Sequence, residues 1–175
     1  TLVMNLRSFS SIILIFFIYS ASYADDTVCN NPYKGMQFNQ QQLDELLAKH
    51  SAEKPLNLCG TNLSGLNFTD KNLVGINLSG ADLSKTDFSR ADLSSANLNQ
   101  SYFRWAILNQ ANLDNSQLQN ASFQQAQLNR SSIRQANLTN TNLQNVQADR
   151  VSFSGSRIQN SNFSGAILTH SNFMW

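Results

Sequence analysis

The chain has 175 residues, of which 41% are hydrophobic and 13% charged, and its formal net charge is +1. This near-neutral balance gives no general electrostatic attraction to nucleic acid or to an acidic membrane surface. With two cysteines, two histidines and no glycine-rich phosphate loop, the chain also offers little for metal binding or catalysis.

Residues 1–24 have the features of a secretory signal peptide. Arg7 supplies a positive charge, residues 12–19 form an apolar run, and Ser22 and Ala24 are small residues at the positions that a signal peptidase reads. Because the apolar run is too short to span a bilayer, we predict cleavage after Ala24 and no integral membrane span in the mature protein. An uncleaved membrane anchor is the alternative. After cleavage, the loss of Arg7 leaves eleven Lys and Arg against eleven Asp and Glu.

Export places the two cysteines in an oxidising compartment. We therefore predict a disulfide between Cys29 and Cys59 in a bacterial periplasmic or secreted protein. Two unpaired or separately used thiols are the alternative.

Within the N-terminal segment, residues 25–55, we predict a capping helix at about 40–51. Asn39 has the character of an N-cap, and Leu43 belongs to an apolar face with helical spacing. We interpret this helix as a lid on the repeats that follow. His50 is either a metal ligand or a packed or surface histidine, and the absence of a second ligand cluster favours the latter.

A period of five residues governs residues 56–175. A large apolar residue occupies every fifth position in twenty-three of twenty-four cases, and Ala, Ser or Thr stands two places earlier in eighteen. The centres are Leu58, Leu63, Phe68, Leu73, Leu78, Leu83, Phe88, Leu93, Leu98, Phe103, Leu108, Leu113, Leu118, Phe123, Leu128, Ile133, Leu138, Leu143, Ala148, Phe153, Ile158, Phe163, Leu168 and Phe173. Neither an α-helix nor an ordinary strand turns a residue inward every five positions, so the pattern predicts a solenoid whose stacked coils share one core.

The repeated motif, as in Ala81-Asp82-Leu83, resembles the pentapeptide-repeat family over residues 56–175. The resemblance implies an all-β solenoid, a right-handed quadrilateral β-helix with one pentad on each side and about six coils. Residues twenty apart then lie above one another. The Asp and Ser residues occur where the repeat places them, so we expect no catalytic residues, no cofactor and no metal site.

One outward column, taken in steps of twenty residues, is unusually basic. Its members are Asp70, Arg90, Gln110, Arg130, Arg150 and His170. Stacked like charges repel one another, and an anionic partner would relieve that repulsion. Arg90, Arg130, Arg150 and His170 are therefore a candidate stripe for an anionic polymer or glycan. Dispersed solubilising charge is the alternative, since Asp149 lies beside the stripe.

A second candidate site is the patch of Tyr102, Arg104, Trp105 and Ile107, at positions that are polar in most other pentads. Clustered exposed aromatic residues favour a contact site. The alternative is a local cation–π contact between Trp105 and Lys85, which lie twenty residues apart.

Two further features follow from stacking by twenty. One column is rich in asparagine and predicts a ladder of side-chain hydrogen bonds; its asparagines are Asn57, Asn77, Asn97 and Asn137. The last coil carries Phe173 and Trp175 and has no second lid. An uncovered apolar end favours a homodimer through this coil, as in some members of the family, whereas Trp175 folded over the end is the alternative.

Three functions follow from these features. We favour a non-enzymatic, exported scaffold or protein-interaction module whose protein partner is unknown. The second is a binder of an anionic envelope polymer or glycan. The third is nucleic-acid mimicry, as in the quinolone-resistance members of the family that bind gyrase. Mimicry requires a strongly acidic surface, whereas residues 56–175 contain eight Lys and Arg against six Asp and Glu, so no nucleic-acid partner is expected.

Overall fold

The structure, a computed structural model, describes residues 29–174. The predicted signal peptide and Trp175 lie outside the described residues. One helix, α1 (Gln40–Leu47), precedes a β-solenoid. The β pairing between residues 29 and 174 consists of isolated parallel bridges rather than extended strands, and no helix in this range is long and apolar enough to cross a bilayer.

The bridges define the register of the solenoid. Twenty of them join residues twenty positions apart, from Asn57–Asn77 to Ser152–Asn172. Each bridged residue precedes a centre, and bridges recur every five residues, so one coil contains four pentads on four successive sides. This vertical register agrees with the one that the family resemblance implies.

The repeat centres form the core. Every centre from Leu58 to Phe153 is at most 1% exposed. Aromatic centres twenty residues apart stack, with ring centroids 4.4 Å apart for Phe68 and Phe88. Each buried Leu or Phe contributes roughly 1.5–3 kcal/mol relative to an exposed side chain, so one continuous interior holds the coils together.

Each pentad turns a corner through a β-turn. The N–H three residues after a centre donates to the carbonyl of that centre, as Ala81 does to Leu78 at 3.1 Å. The third residue of these turns has φ > 0, as in a type II turn. Glycine supplies it at six corners, including Gly60 and Gly80, while seventeen residues other than glycine also adopt positive φ.

The residue two before a centre is small in eighteen of twenty-four cases, because it faces the packed interior beside the turn. Ala81, Ala91 and Ala96 are at most 1% exposed. Most hydroxyls at this position donate to a backbone carbonyl, as Ser101 Oγ does to Leu98 at 2.6 Å. Ser131 Oγ is an exception, since it is buried without a hydrogen-bond partner among the described residues.

The asparagine column does not form the predicted coil-to-coil ladder. Asn77 Oδ1 instead accepts the N–H of Ser79 in its own pentad, at 3.0 Å. The amide two residues ahead is the nearest donor because the chain turns there, and it captures the side-chain oxygen. Asparagine side-chain oxygens accept backbone N–H groups of the next coil one position after a centre. There, Asn109 Oδ1 accepts the N–H of Asn129 at 3.0 Å.

Helix α1 begins with a reciprocal capping box. Asn39 Oδ1 accepts the N–H of Gln42, and Gln42 Oε1 accepts the N–H of Asn39, at 2.9 and 3.0 Å. Leu43 and Leu46 bury the inner face of the helix. The helix ends at Leu47, earlier than the predicted residue 51, because the chain tightens into turns beyond it.

The N-terminal segment lies against the lower edge of the first coil. Gln37 makes a parallel bridge with Asn62, taking the place of a residue in an underlying coil. The structure contains a disulfide between Cys29 and Cys59, which joins this segment to the first pentad. The segment and α1 together cover interior and backbone groups that the first coil would otherwise expose.

Candidate functional site

Tyr102, Arg104 and Trp105 project from one side of the solenoid, around the buried centre Phe103. Tyr102 is 55% exposed and Trp105 is 44% exposed, and Arg104 is exposed as well. Ile107 belongs to the next pentad, so it lies on the adjoining side, where it is half-buried. The structure thus brings together three of the four residues predicted for the patch. We call these three, Tyr102, Arg104 and Trp105, the Tyr102 patch.

Two cations flank the indole of Trp105. The guanidinium carbon of Arg104 lies 4.1 Å from the ring centroid, and Lys85 Nζ lies 5.5 Å from it. Such contacts contribute about 0.5–1 kcal/mol at exposed sites. Among the salt bridges between described residues, none involves Lys85 or Arg104, so both positive charges face solvent without a carboxylate partner there.

Trp105 adopts an unusual conformation for its size. It occupies a corner with φ of 59°, where the other corners carry glycine or a polar or charged residue. A left-handed backbone costs a residue with a Cβ roughly 1–2 kcal/mol. The chain thus holds a large aromatic ring at an exposed edge of the rod in spite of backbone strain.

An open groove of about 500 Å³ runs along the same side of the solenoid. We call it the Tyr102 groove; its lining includes Gly60, Gly80, Asp82, Ser84, Tyr102 and Arg104. The lining spans five levels of the rod, from Gly35 in the N-terminal segment to Ser122. At roughly 4.8 Å per level, the groove is about 19 Å long.

Short residues create the groove. Gly60 and Gly80 occupy the same corner in two successive coils, and neither has a side chain. Ser84 lies directly below Arg104. The long side chains of Tyr102 and Arg104 therefore rise above a low floor. The sequence pattern indicates these two residues, whereas the only sequence signal for the floor is the pair of glycines twenty positions apart.

The floor of the groove is polar. Asp82 Oδ1 accepts the N–H of Ser84 at 3.0 Å, and the second carboxylate oxygen makes no hydrogen bond to another described residue. Asn62 and Ser84 add short polar side chains along the same floor. The groove therefore combines hydrogen-bonding groups with an aromatic ring and a cation at its rim, an arrangement that suits a polar, extended ligand.

The predicted arginine stripe is aligned along one corner, but its charges are partly paired. Arg90 Nε and Nη2 donate to the two oxygens of Asp70 at 2.7 and 2.8 Å. Hydrogen bonding from Arg90 lowers the pKa of the Asp70 carboxyl, and Asp70 raises the pKa of Arg90. Both side chains are exposed, so water and salt screen the pair.

The upper end of the stripe shares one carboxylate. Arg150 Nε lies 3.9 Å from Asp149 Oδ2, and His170 Nδ1 lies 3.1 Å from Asp149 Oδ1. Of the four predicted stripe residues, Arg130 alone lacks a salt bridge to a described residue. The stripe is thus less positive than its sequence suggests.

His50 has a structural environment. Its Nδ1 accepts the N–H of Leu56 at 3.0 Å. Burial lowers the pKa of His50, and the backbone of Val74 opposes this shift. Within residues 29–174, no group of three or more His, Cys, Asp or Glu side chains is placed to hold a metal ion.

The last described coil is less buried than the others. The centres Ile158, Phe163, Leu168 and Phe173 are partly buried, whereas earlier centres are fully buried. Ile167 and Met174 are exposed by 56% and 67%. This coil contains Phe173, one of the two residues of the predicted dimer contact, while Trp175 lies outside the described residues.

Comparisons with known proteins identify the repeat. The family model for pentapeptide repeats matches in eight copies, over residues 61–100, 72–110, 96–135 and 136–173. No curated protein matches the chain.

Solved structures similar to the chain include three pentapeptide-repeat or resistance proteins. HetL from the cyanobacterium Nostoc, involved in heterocyst differentiation regulation, is 21% identical over 66% of this chain and 69% of its own, with a TM-score of 0.37. Rfr23 from the cyanobacterium Cyanothece is 27% identical over 67% of this chain and 88% of its own, with a TM-score of 0.39. QnrB1, a plasmid-mediated fluoroquinolone resistance protein, is 20% identical over 67% and 72%, with a TM-score of 0.46.

Proposed function

The chain belongs to the pentapeptide-repeat family, and on that premise we propose that it is a non-enzymatic, exported interaction module. Its working surface is the Tyr102 patch, displayed on a rigid scaffold. The observation that carries the proposal is the exposed Trp105, held in a strained corner and flanked by two unpaired cations. Exposed aromatic residues and arginine are the side chains most enriched at the energetic centres of protein interfaces.

The scaffold in this proposal is a right-handed quadrilateral β-helix of about six coils. Parallel backbone bonds between coils and an unbroken apolar core support rigidity along its whole length. A rigid surface loses little conformational entropy when it binds, so the Tyr102 patch is preorganised for a partner.

Two observations support export to a periplasmic or secreted setting. The sequence of residues 1–24 has the pattern of a signal peptide, although that segment lies outside the described residues. The disulfide between Cys29 and Cys59 is consistent with an oxidising compartment.

Anion binding through the arginine stripe and nucleic-acid mimicry have weaker support. An anion-binding stripe would need free charge, yet Arg90, Arg150 and His170 have acidic neighbours. Nucleic-acid mimicry would need an acidic surface, yet the repeats carry more basic than acidic residues.

Self-association is a separate part of the proposal. The partly buried centres of the last described coil and the exposed Ile167 and Met174 support a homodimer through the C-terminal end, with Phe173 and Trp175 at the contact. Two copies would cover each other's apolar surface there.

The test is photo-crosslinking of the exported protein in its own cell envelope, with the crosslinker attached at position 122 beside the Tyr102 patch. We expect a discrete crosslinked product that disappears in Trp105→Asn and persists in Arg134→Ser. Asn145 occupies the same corner column as Trp105 with φ of 56°, so the first variant should fold. A product that forms equally in both variants would refute the assignment of the Tyr102 patch.

A further inference from the structure

We propose that the Tyr102 groove binds an acidic oligosaccharide, a linear chain of sugars that carry carboxylates. Arg104 receives an anionic group, the ring of Tyr102 packs on a sugar face, and the polar floor binds hydroxyls. Trp105 and Lys85 adjoin Arg104 beside the groove, where the indole holds the guanidinium and the ammonium adds positive charge. This inference rests on the proposed function and names the chemical class of the partner.

The shape of the groove suits a linear ligand. Its lining residues follow one side of the rod over five levels, from Gly35 to Ser122, rather than closing into a round pocket. Its volume of about 500 Å³ lies within the range typical of ligand sites. A chain of several sugar units laid along the rod would contact every level.

The floor of the groove favours a sugar over a protein surface. Protein interfaces have desolvated cores that are depleted of charge and rich in large apolar residues. This floor has glycine at two corners and Asn62, Asp82 and Ser84 between them. Such a floor offers hydrogen bonds to hydroxyl groups along the first two coils, while the ring of Tyr102 at the rim matches the apolar face of a sugar ring.

The charge at the rim selects for an acidic ligand. Arg104 and Lys85 have no salt-bridge partner among the described residues, whereas Arg90 and Arg150 elsewhere on the rod lie beside carboxylates. The planar guanidinium of Arg104 stacks on Trp105, which leaves its N–H edge free for a carboxylate. Asp82 lies one coil below Arg104. Its carboxylate is suited to accept hydrogen bonds from sugar hydroxyls and not to bind the anionic group of the ligand.

The experiment is isothermal titration of the full mature protein with an alginate hexasaccharide, in which every sugar carries a carboxylate. Maltohexaose is the neutral probe of equal length, and hexaglutamate is the acidic peptide probe. At about 50 mM salt we expect binding to alginate that weakens at about 300 mM salt because the contacts are exposed to screening. Maltohexaose and hexaglutamate should each bind at least about tenfold more weakly.

Two variants and a matched control locate the site. Arg104→Ser and Trp105→Asn should each weaken alginate binding by about tenfold. Ser64 and Ser84 occupy the column of Arg104, so serine is compatible with the fold there. Arg134→Ser removes an arginine from the equivalent position on another side of the rod, and it should change affinity by less than about twofold.

Three outcomes would overturn the inference: no binding of alginate, equal weakening by all three substitutions, or tighter binding of the acidic peptide. These outcomes are separable from failure of the proposed function. If the crosslinked product still depends on Trp105 while alginate does not bind, the interaction module stands and its partner is a protein.

Discussion

Replacing Gln40 with Ala should loosen the lower end of the solenoid. The side-chain amide of Gln40 pairs with a single backbone unit, because Nε2 donates to the Asn67 carbonyl and Oε1 accepts the Asn67 N–H, both at 2.9 Å. Asn67 bridges upward to Asp87 but has no bridge below it. The Gln40 amide thus occupies the place that the backbone of an underlying coil would take.

The expected loss follows from these two bonds. A hydrogen bond within a protein contributes about 0.5–1.5 kcal/mol net, and the exposed setting of this pair places it near the lower end. We therefore expect Gln40→Ala to lower the free energy of unfolding by about 1–2 kcal/mol. At a urea dependence of about 2 kcal/mol per molar, the unfolding midpoint falls by roughly 0.5–1 M. Hydrogen exchange of the Asn67 amide should accelerate by about 5–30-fold.

Gln41→Ala provides the matched control. Gln41 is the next residue of α1, and its amide reaches only the exposed carboxylate of Glu45 at 3.2 Å. This substitution should change stability by less than about 0.5 kcal/mol. If Gln40→Ala and Gln41→Ala give the same urea midpoint and the same exchange rate at Asn67, the Gln40 amide does not cap the coil edge and the reasoning fails.

Three further predictions concern the lid and the core. Because the pKa of His50 is lowered, its contribution to stability is complete above pH 6.5 and is lost as the pH falls through the lowered pKa. Thermal unfolding at a series of pH values should show this loss of stability. His50→Asn, which keeps an acceptor near the position of Nδ1, should make the loss at low pH smaller. Replacing both Cys29 and Cys59 with Ser should cost about 3 kcal/mol in urea unfolding, while circular dichroism of the repeats stays unchanged; loss of the β signal would contradict a disulfide that serves only the N-terminal segment. Phe103→Ala should cost about 3–5 kcal/mol, and Phe163→Ala clearly less because Phe163 is only partly buried; equal costs would mean that the last coil is covered in solution.

The inside and outside of the rod were predictable because the repeat is strictly periodic. A centre such as Leu83 has the same environment as the centre one coil above it, so the local motif specifies the core without knowledge of distant contacts. The same regularity predicted which columns line up, including the basic corner from Arg90 to His170. The period of five also identified the family, whose match covers residues 61–173.

Side-chain partners were less predictable because several donors and acceptors compete within each pentad. The asparagines of the predicted ladder bond to the amide two residues ahead, which lies closer than the side chain in the next coil. Beside the basic column, Asp149 contacts both Arg150, its neighbour in the chain, and His170, which lies one coil above Arg150. Alignment in a column fixes proximity, but it leaves the choice of hydrogen-bond partner to side-chain geometry.

The sequence by itself determined the period, the buried centres, the turn positions and the exposure of Tyr102 and Trp105, since these depend on spacing within one chain segment. The tertiary structure decided the Tyr102 groove, whose floor comes from Gly60, Gly80 and Ser84 on separate coils. It also decided how α1 closes the first coil through Gln40. Both features arise where residues of different coils meet. The depth of the groove and the fit of Gln40 against the first coil depend on the lengths of side chains from several pentads, so the motif of a single pentad does not specify them.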